Sequence, residues 1–481
     1  MTGSEAPTWV SEAMDSTVAR ATHQLADWAS ALTWADVPAP TRQRLRLVLL
    51  DVLGVTLAGS RDPDQRSLVT AWTPGRGPSP LVGAGLSTSV EAAAWLNASA
   101  LVRLELDEGN KYAKGHPAAH GYPAVLSLAA ATNASGGDTL AALVTAYEVA
   151  SRFGRATTLR PGMHPHGSWG VAGAAAGCAR LLRLDPWQTA AAIDAGTGMP
   201  IAGHFASALD GNQVRNAWIS AANLSGLAGA RMARAGVAAN TGTAANTLGE
   251  LLGTFDPAAL TEHLGGRWDV DRGYFKRHAA CSFTHPVADA VLTIVGRLSA
   301  GEIDAVSAIR VETHSLAAGL NRTSWDGRLS AMFSIPFVAA AALIHRRVSP
   351  EVSDAAPLTD PRVREAAAKV DVVVAPDLDA RLPDERAARV TVTVNGTDHM
   401  VEVPNPIGDS AYHPFDEPAL LQLLTAVTGD ASAIATFHTV VDGLETPHGV
   451  STLLQRLALA GAESQSPQDR NTKEAPCAST P

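Results

Sequence analysis

At 481 residues the chain is long enough for two domains and for a core large enough to offset chain entropy. A net charge of −10, a pI near 5.8 and arginines scattered rather than clustered leave no basic stripe for nucleic acid or for an anionic membrane surface. Cys178, Cys281 and Cys477 are too few and too dispersed for a disulfide frame or a cysteine-based zinc site, so reduced thiols are expected.

Residues 1–16 are acidic and polar, without the basic start and apolar run of a secretory leader. No uninterrupted apolar stretch of about 18 residues follows, and a soluble, cytoplasmic protein is expected. From residue 18 to 260 the apolar periodicity predicts helix after helix, rich in Ala and Leu and broken by Gly, Pro and Asn. The clearest cover 48–57, 90–102, 122–131, 139–153 and 168–182. Asp138 or Thr139 is expected to cap the fourth of these, and Asp185-Pro186 opens a further helix. Residues 170–182 and 221–235 carry small side chains on nearly every face. Such a helix packs closely in an interior or a subunit interface, and Arg180, Arg231 and Arg234 interrupt the rival membrane-spanning reading.

Past Arg267 the texture changes. Residues 308–314, 370–374 and the pair 388–394 and 399–403, joined across Asn395-Gly396, show β-branched alternation and a hairpin signal. Helical stretches at 286–297, 335–347 and 361–369 lie between them. The expected fold is therefore mainly α: a large all-helical domain over 1–267 and a smaller α+β lid domain over 268–404. Residues 405–460 include a return to Leu-rich helix and are expected to pack back on the first domain. The Ser, Gln, Pro and Thr-rich tail at 461–481 is expected to be disordered, and no internal repeat is found.

The segment LELDEGNKYAKGHPAA at 104–119 concentrates Glu105, Asp107, Glu108, Asn110, Lys111, Lys114 and His116 in a loop, with His120 just beyond. Lysine is rare in this chain, five against thirty-two arginines, so two in one loop suggest a need for ammonium groups. Loops held by a rigid scaffold are where catalytic groups are often presented. A solvated acidic loop with a helix-capping histidine is the plainer alternative. A second stretch, Arg160-Pro-Gly-Met-His164-Pro-His166-Gly, directly precedes a helix start, where the macrodipole favours neutral imidazole and hence a base near neutral pH. Structural histidines also occupy such turns. The third stretch, Tyr274 to Pro286, holds Lys276, Arg277, His278, Cys281 and His285 at the expected domain junction, a set suited to binding carboxylates. Solvated surface charge and a buried, inert cysteine are its ordinary alternatives. Arg215 opens a small-residue helix from which it reaches either a cleft or a surface partner.

His116 and His120 stand four apart, but Pro117, Ala118 and Ala119 supply no glutamate between them, so the zincin pattern is absent and no metal is expected. No Walker A, no Gly-x-Gly-x-x-Gly after a strand and no Gly-x-Ser-x-Gly elbow is present either. Imidazole bases, a carboxylic acid and fixed cations remain. That set suits proton abstraction next to a carboxylate, followed by loss of water, loss of carbon dioxide or reprotonation.

The succession LDVLGVTLAGS at 50–60, the acidic segment continuing as HGYPAVLSLA, AYEVASRFG at 146–154, RPGMHPHGSWG, GNQVRNAW at 211–218 and GYFKRHAACSFTHPVADA resembles the MmgE/PrpD family. That family includes 2-methylcitrate dehydratase, cis-aconitate decarboxylase and iminodisuccinate epimerase. The resemblance spans about 45 to 455 in the expected order, and implies a helical domain with an α+β lid, a homodimer, and no metal or organic cofactor. It also implies that His116 and His164 are the active-site histidines, Lys276 the junction lysine and Asp107 the acid. Arg215, Cys281 and Phe337 stand where the decarboxylase branch carries lysine, histidine and tyrosine. The function implied is a cofactor-independent lyase, foremost a dehydratase of a 2-methylcitrate-like di- or tricarboxylate, with a decarboxylase or epimerase as alternative. In this reading Arg215, Arg277, Asn110, Cys281 and His285 bind substrate while His116, His164, Asp107 and Lys276 carry the chemistry.

Overall fold

The computed structural model describes residues 16–445 and 447–462. Its centre is the helix Ala39–Ser60, in which every residue from Leu47 to Gly59 is buried. A helix apolar on all sides must be enclosed by others. Val90–Leu101 packs along it, and from the far end of the chain so do Glu417–Thr428 and Ala431–Gly443, with Leu424 lying over Gly54. Ser451–Leu459 packs on Pro117–Thr132, so the chain's last described helices complete the core begun by its first.

Pro117–Thr132, Gly136–Ala156, Val171–Leu181, Pro186–Thr197 and Val214–Arg234 form the second half of this helical part. The small-residue stripes are their mutual contacts. A methyl added at Gly226 would stand 2.3 Å from the Ala174 side chain, and one at Gly173 2.3 Å from the Ala146 carbonyl. Backbones this close gain dispersion that larger side chains would forbid. Pro123 sits inside a helix and cannot donate to the Ala119 carbonyl. Asn223 fills the gap: its amide donates to Ala119 O at 2.9 Å and its carbonyl accepts from Ala124 N at 3.0 Å. Asp185 caps Pro186–Thr197 in a reciprocal box with Gln188. Gly136–Ala156, however, is capped by Ser135 rather than Asp138 or Thr139, because the glycines read as breakers are absorbed into its first turn.

Among the described residues three two-stranded ladders interrupt the helices: Arg76–Leu81 with Leu86–Thr88, Thr157–Leu159 with Gly253–Phe255, and Gly109–Asn110 with Gly273–Tyr274. The smaller α+β part is built on a four-stranded sheet in the order Thr397–Val403, Ala388–Val394, Val306–Thr313, Val370–Val374. The last strand runs parallel to its neighbour, the others antiparallel. Asn395 and Gly396 both take positive φ, the two-residue turn that suits strand twist. Ala388–Val394 alternates buried and half-buried residues, its apolar face covered by His285–Val295. The change of core falls between Ala279, which packs with the helical part, and Ala280, which packs with the sheet, later than the change of texture at residue 268. Among the described residues no helix is long and apolar enough to cross a membrane. Cys477 and residues 463–481 of the tail expected to be disordered lie outside the described residues.

Candidate active site

The acidic loop leaves the Val90–Leu101 helix through Glu105, which takes a left-handed φ of 53°. It is then stitched in place. Gly109 pairs with Tyr274 and Asn110 with Gly273, and Gly109 is required because a Cβ there would lie 2.4 Å from the Tyr274 hydroxyl oxygen. Asn110 accepts from the Tyr112 and Ala113 amides and donates to the Asp269 carbonyl at 2.8 Å. The ladder brings the acids preceding one strand against the lysine following the other.

Lys276 is fully buried, its ammonium 3.4 Å from Glu105 and 3.3 Å from Asp107. Arg215, equally buried, pairs with the other oxygen of Glu105. Burial would lower the Lys276 pKa, but Asp107 and Glu105 together outweigh it, so the ammonium stays charged. Two cations and two carboxylates thus form one knot with no net charge.

Four histidines converge beside it, and their backbone partners fix the tautomers. The Nδ1 atom of His116 lies 2.6 Å from the Glu108 carbonyl oxygen and 3.0 Å from Asp107 Oδ2, both acceptors, so Nδ1 carries the proton and Nε2 the lone pair. His164 is the reverse: its Nδ1 accepts from the His166 amide at 3.1 Å, which leaves the proton on Nε2. Both rings line one pocket. In His120, Nδ1 donates to the His116 carbonyl and Nε2 accepts from the Gly167 amide, so both nitrogens are occupied and the ring is a strut. Its presence demands Gly170, where a Cβ would stand 2.2 Å from the ring. His166 lies between the other rings, 4.5 Å from His164 and 5.2 Å from His116 by centroids, and its Nε2 accepts from Arg215 at 3.3 Å. Burial, reinforced by Arg215, holds His164 and His166 well below the usual histidine range; burial, reinforced by Lys276, does the same to His116. All three rings are neutral at physiological pH.

The pocket between the two parts is tight, with about 50 Å³ of enclosed space, too little for a dinucleotide. His116, His164, Arg215 and Cys281 reach it, while Asp107 and Lys276 stand behind, acting on His116 and Glu105. Burial pushes the Cys281 thiol up to about 11, so it is a neutral wall, not a thiolate. Three expected substrate contacts are elsewhere. Asn110 spends its side chain on the loop. Arg277 is partly exposed and pairs with Asp289 at 3.3 Å. His285 lies within hydrogen-bonding distance of the Ala280 carbonyl and packs on His278. The residues missed by sequence reasoning are Glu105 as counter-ion, His166 as the central ring and Arg386, Tyr274 and Ser282 on the pocket wall.

Asp107, His116 and His166 bring one potential metal-ligand atom each within 4.8 Å of one another. Two cations stand beside this group, Lys276 at one oxygen of Asp107 and Arg215 at Nε2 of His166, and their charge disfavours a further cation there.

Behind the loop, burial, with Asp107 adding to it, raises the Asp51 carboxyl to about 8, and burial likewise raises Glu108 to about 8. These groups keep protons that the unfolded chain releases near 3.8 and 4.5, so their contribution to stability fades as pH rises toward 8. The buried histidines act oppositely. His116, His120, His164, His166 and His285 stay neutral while the unfolded chain takes up protons below 6.5, so stability also falls in acid. The melting temperature is expected to peak near pH 6.5 and to decline on both sides in a scan from about pH 5 to about pH 9. A steady rise from neutrality to alkaline pH would contradict this charge assignment.

Comparison with known proteins agrees with the two-part architecture. The chain is 24% identical over 475 residues to a cis-aconitate decarboxylase of Aspergillus terreus, covering 91% of this chain and 95% of the relative. It is 29% identical over 294 residues to the cis-aconitate decarboxylase-like protein oryM of Aspergillus oryzae, covering 56% of this chain and 60% of the relative. The MmgE/PrpD N-terminal domain matches residues 23–262 and the MmgE/PrpD C-terminal domain residues 278–431. With both of its domains present in order over most of the length, the chain belongs to the MmgE/PrpD family.

Proposed function

We propose that the protein is a cofactor-independent lyase, a dehydratase of a small di- or tricarboxylate related to 2-methylcitrate. The observation that carries this reading is the pair of opposite tautomers facing one pocket, a lone pair on His116 and an N–H on His164. His116 Nε2 takes a proton from the carbon next to a carboxylate, and Asp107 stabilises the resulting imidazolium through Nδ1. The electron pair moves to form the double bond as the β-hydroxyl departs. Neutral His164 donates a hydrogen bond to the oxygen on which negative charge grows, and the His116 imidazolium returns its proton to the leaving hydroxyl as water. No step requires an oxidant or an external acid.

A second reading is decarboxylation of a cis-aconitate-like acid, favoured by the names of the similar Aspergillus proteins. A homodimer in the cytoplasm is part of the same proposal, on the family resemblance. Proton NMR in D₂O with hydroxy-, methyl- and amino-substituted di- and tricarboxylates tests it. New vinyl signals without gas release are expected. Carbon dioxide release would establish the second reading, and exchange at carbon without elimination would replace both with epimerisation.

A further inference from the structure

In the pocket just described, Arg215 and Lys276 are closed on Glu105, which leaves the question of what holds a substrate carboxylate. Arg386 precedes the strand Ala388–Val394 and is 8% exposed. Its guanidinium donates to the Ser282 hydroxyl at 3.2 Å, the Tyr274 hydroxyl at 3.5 Å and the Lys111 carbonyl at 3.3 Å. It also lies 5.5 Å from the Tyr274 ring centroid and 5.1 Å from that of Phe283. Every one of these partners is uncharged, and among the described residues no carboxylate forms an ion pair with it. Lys114, the other cation on this wall, is exposed at the mouth, with its ammonium on the Thr157 carbonyl.

A buried guanidinium without a counter-charge is costly unless an anion completes it. Arg386 lines the same pocket as His116 and His164, with two hydroxyls beside it that accept or donate as an incoming anion requires. Glu105 supplies the complementary fact. It occupies the position between Arg215 and Lys276 that a second carboxylate would need. Phe205 and Phe333 meet edge to face at the remaining wall, 5.8 Å apart by centroids, and offer an apolar surface instead.

We propose that Arg386, with Ser282 and Tyr274, is the carboxylate anchor of the pocket, and that Glu105 shuts the Arg215–Lys276 pair to further carboxylates. The substrate class is then a small acid held by one carboxylate, with an apolar or uncharged group toward Phe205 and Phe333, rather than a fully ionised tricarboxylate. This rests on the lyase reading and narrows it, away from the tricarboxylates and toward acids with one or two carboxylates, while the anchor itself is a statement about binding.

The test is calorimetric and thermal-shift titration of the full chain with butyrate, succinate and propane-1,2,3-tricarboxylate. Wild-type protein is expected to bind butyrate and succinate in preference to the tricarboxylate. R386Q is expected to lose roughly 30-fold or more in affinity for every probe, the scale for removing one partner of a buried charged contact. R386K keeps the charge without the planar fork and is expected to lose most of the same affinity, and it serves in place of R386Q if that variant does not fold. E105Q keeps the side-chain shape and is expected to shift preference toward the tricarboxylate by about tenfold. Binding unchanged in R386Q and R386K, or no probe bound by the wild type, would overturn the anchor; an unchanged preference in E105Q would overturn the gate. Binding through Arg386 with no proton exchange in D₂O would retain the anchor and discard the lyase reading.

Discussion

His116→Ala is expected to lower kcat by about 100-fold to 10,000-fold and to abolish exchange of substrate C–H in D₂O. The expectation follows from the tautomer: the Glu108 carbonyl and Asp107 pin the proton on Nδ1 and leave the lone pair on Nε2. His164→Ala is expected to slow turnover by roughly 100-fold to 1,000-fold, the scale of a lost oxyanion donor, while slow exchange persists. The two variants therefore separate by exchange rather than by rate alone. If exchange survives in the His116 variant and vanishes in the His164 variant, the roles are reversed. Because burial and Lys276 hold the His116 pKa below its ordinary 6.5, the acid limb of kcat/KM is expected below pH 6.5. An activity that halves at pH 6.5 itself would point to a different base.

Lys276→Met is expected to destabilise the fold by about 3–5 kcal/mol, seen as a lower midpoint in urea. The ammonium is the shared counter-charge of Glu105 and Asp107, and neither carboxylate is solvated. A lysine whose only duty is to grip substrate would instead leave stability untouched and raise KM. Adding E105Q to Lys276→Met is expected to recover a large part of the loss, since it removes one of the stranded charges. Additive losses in the double variant would show that Glu105 and Lys276 are energetically independent.

Much of the site could be read before the fold because its residue types are unusual for this chain. Two lysines and three acids within one segment marked the acidic loop, and the Gly-Met-His turn before a small-residue helix marked His164. What could not be read depends on partners far apart in sequence. Arg386 stands in RLPDERAARV as one of thirty-two arginines, and only the packing of the sheet-bearing part sets it beside Ser282, 104 residues away. Glu105 looked like one acid among several until Arg215 and Lys276 closed on it. One placement had a local signal in the sequence. Asn110 followed by free amides is a common side-chain-to-backbone turn. The helices were legible from periodicity, whereas the three short ladders, two to six residues per strand, are too brief to imprint a pattern.

Lys111 adds a mechanical constraint. From inside the acidic loop its ammonium reaches Asp409 at 3.0 Å and the Asp384 carbonyl at 2.7 Å, while Tyr112 reaches the Asp384 carboxylate at 2.8 Å. The segment that carries Asp107 is therefore also a fastener between the two parts of the molecule. The same loop backbone carries the Glu108 carbonyl that orients His116. The loop that presents Asp107 is thereby anchored at both of its faces, to the helical part through Asn110 and to the sheet-bearing part through Lys111 and Tyr112.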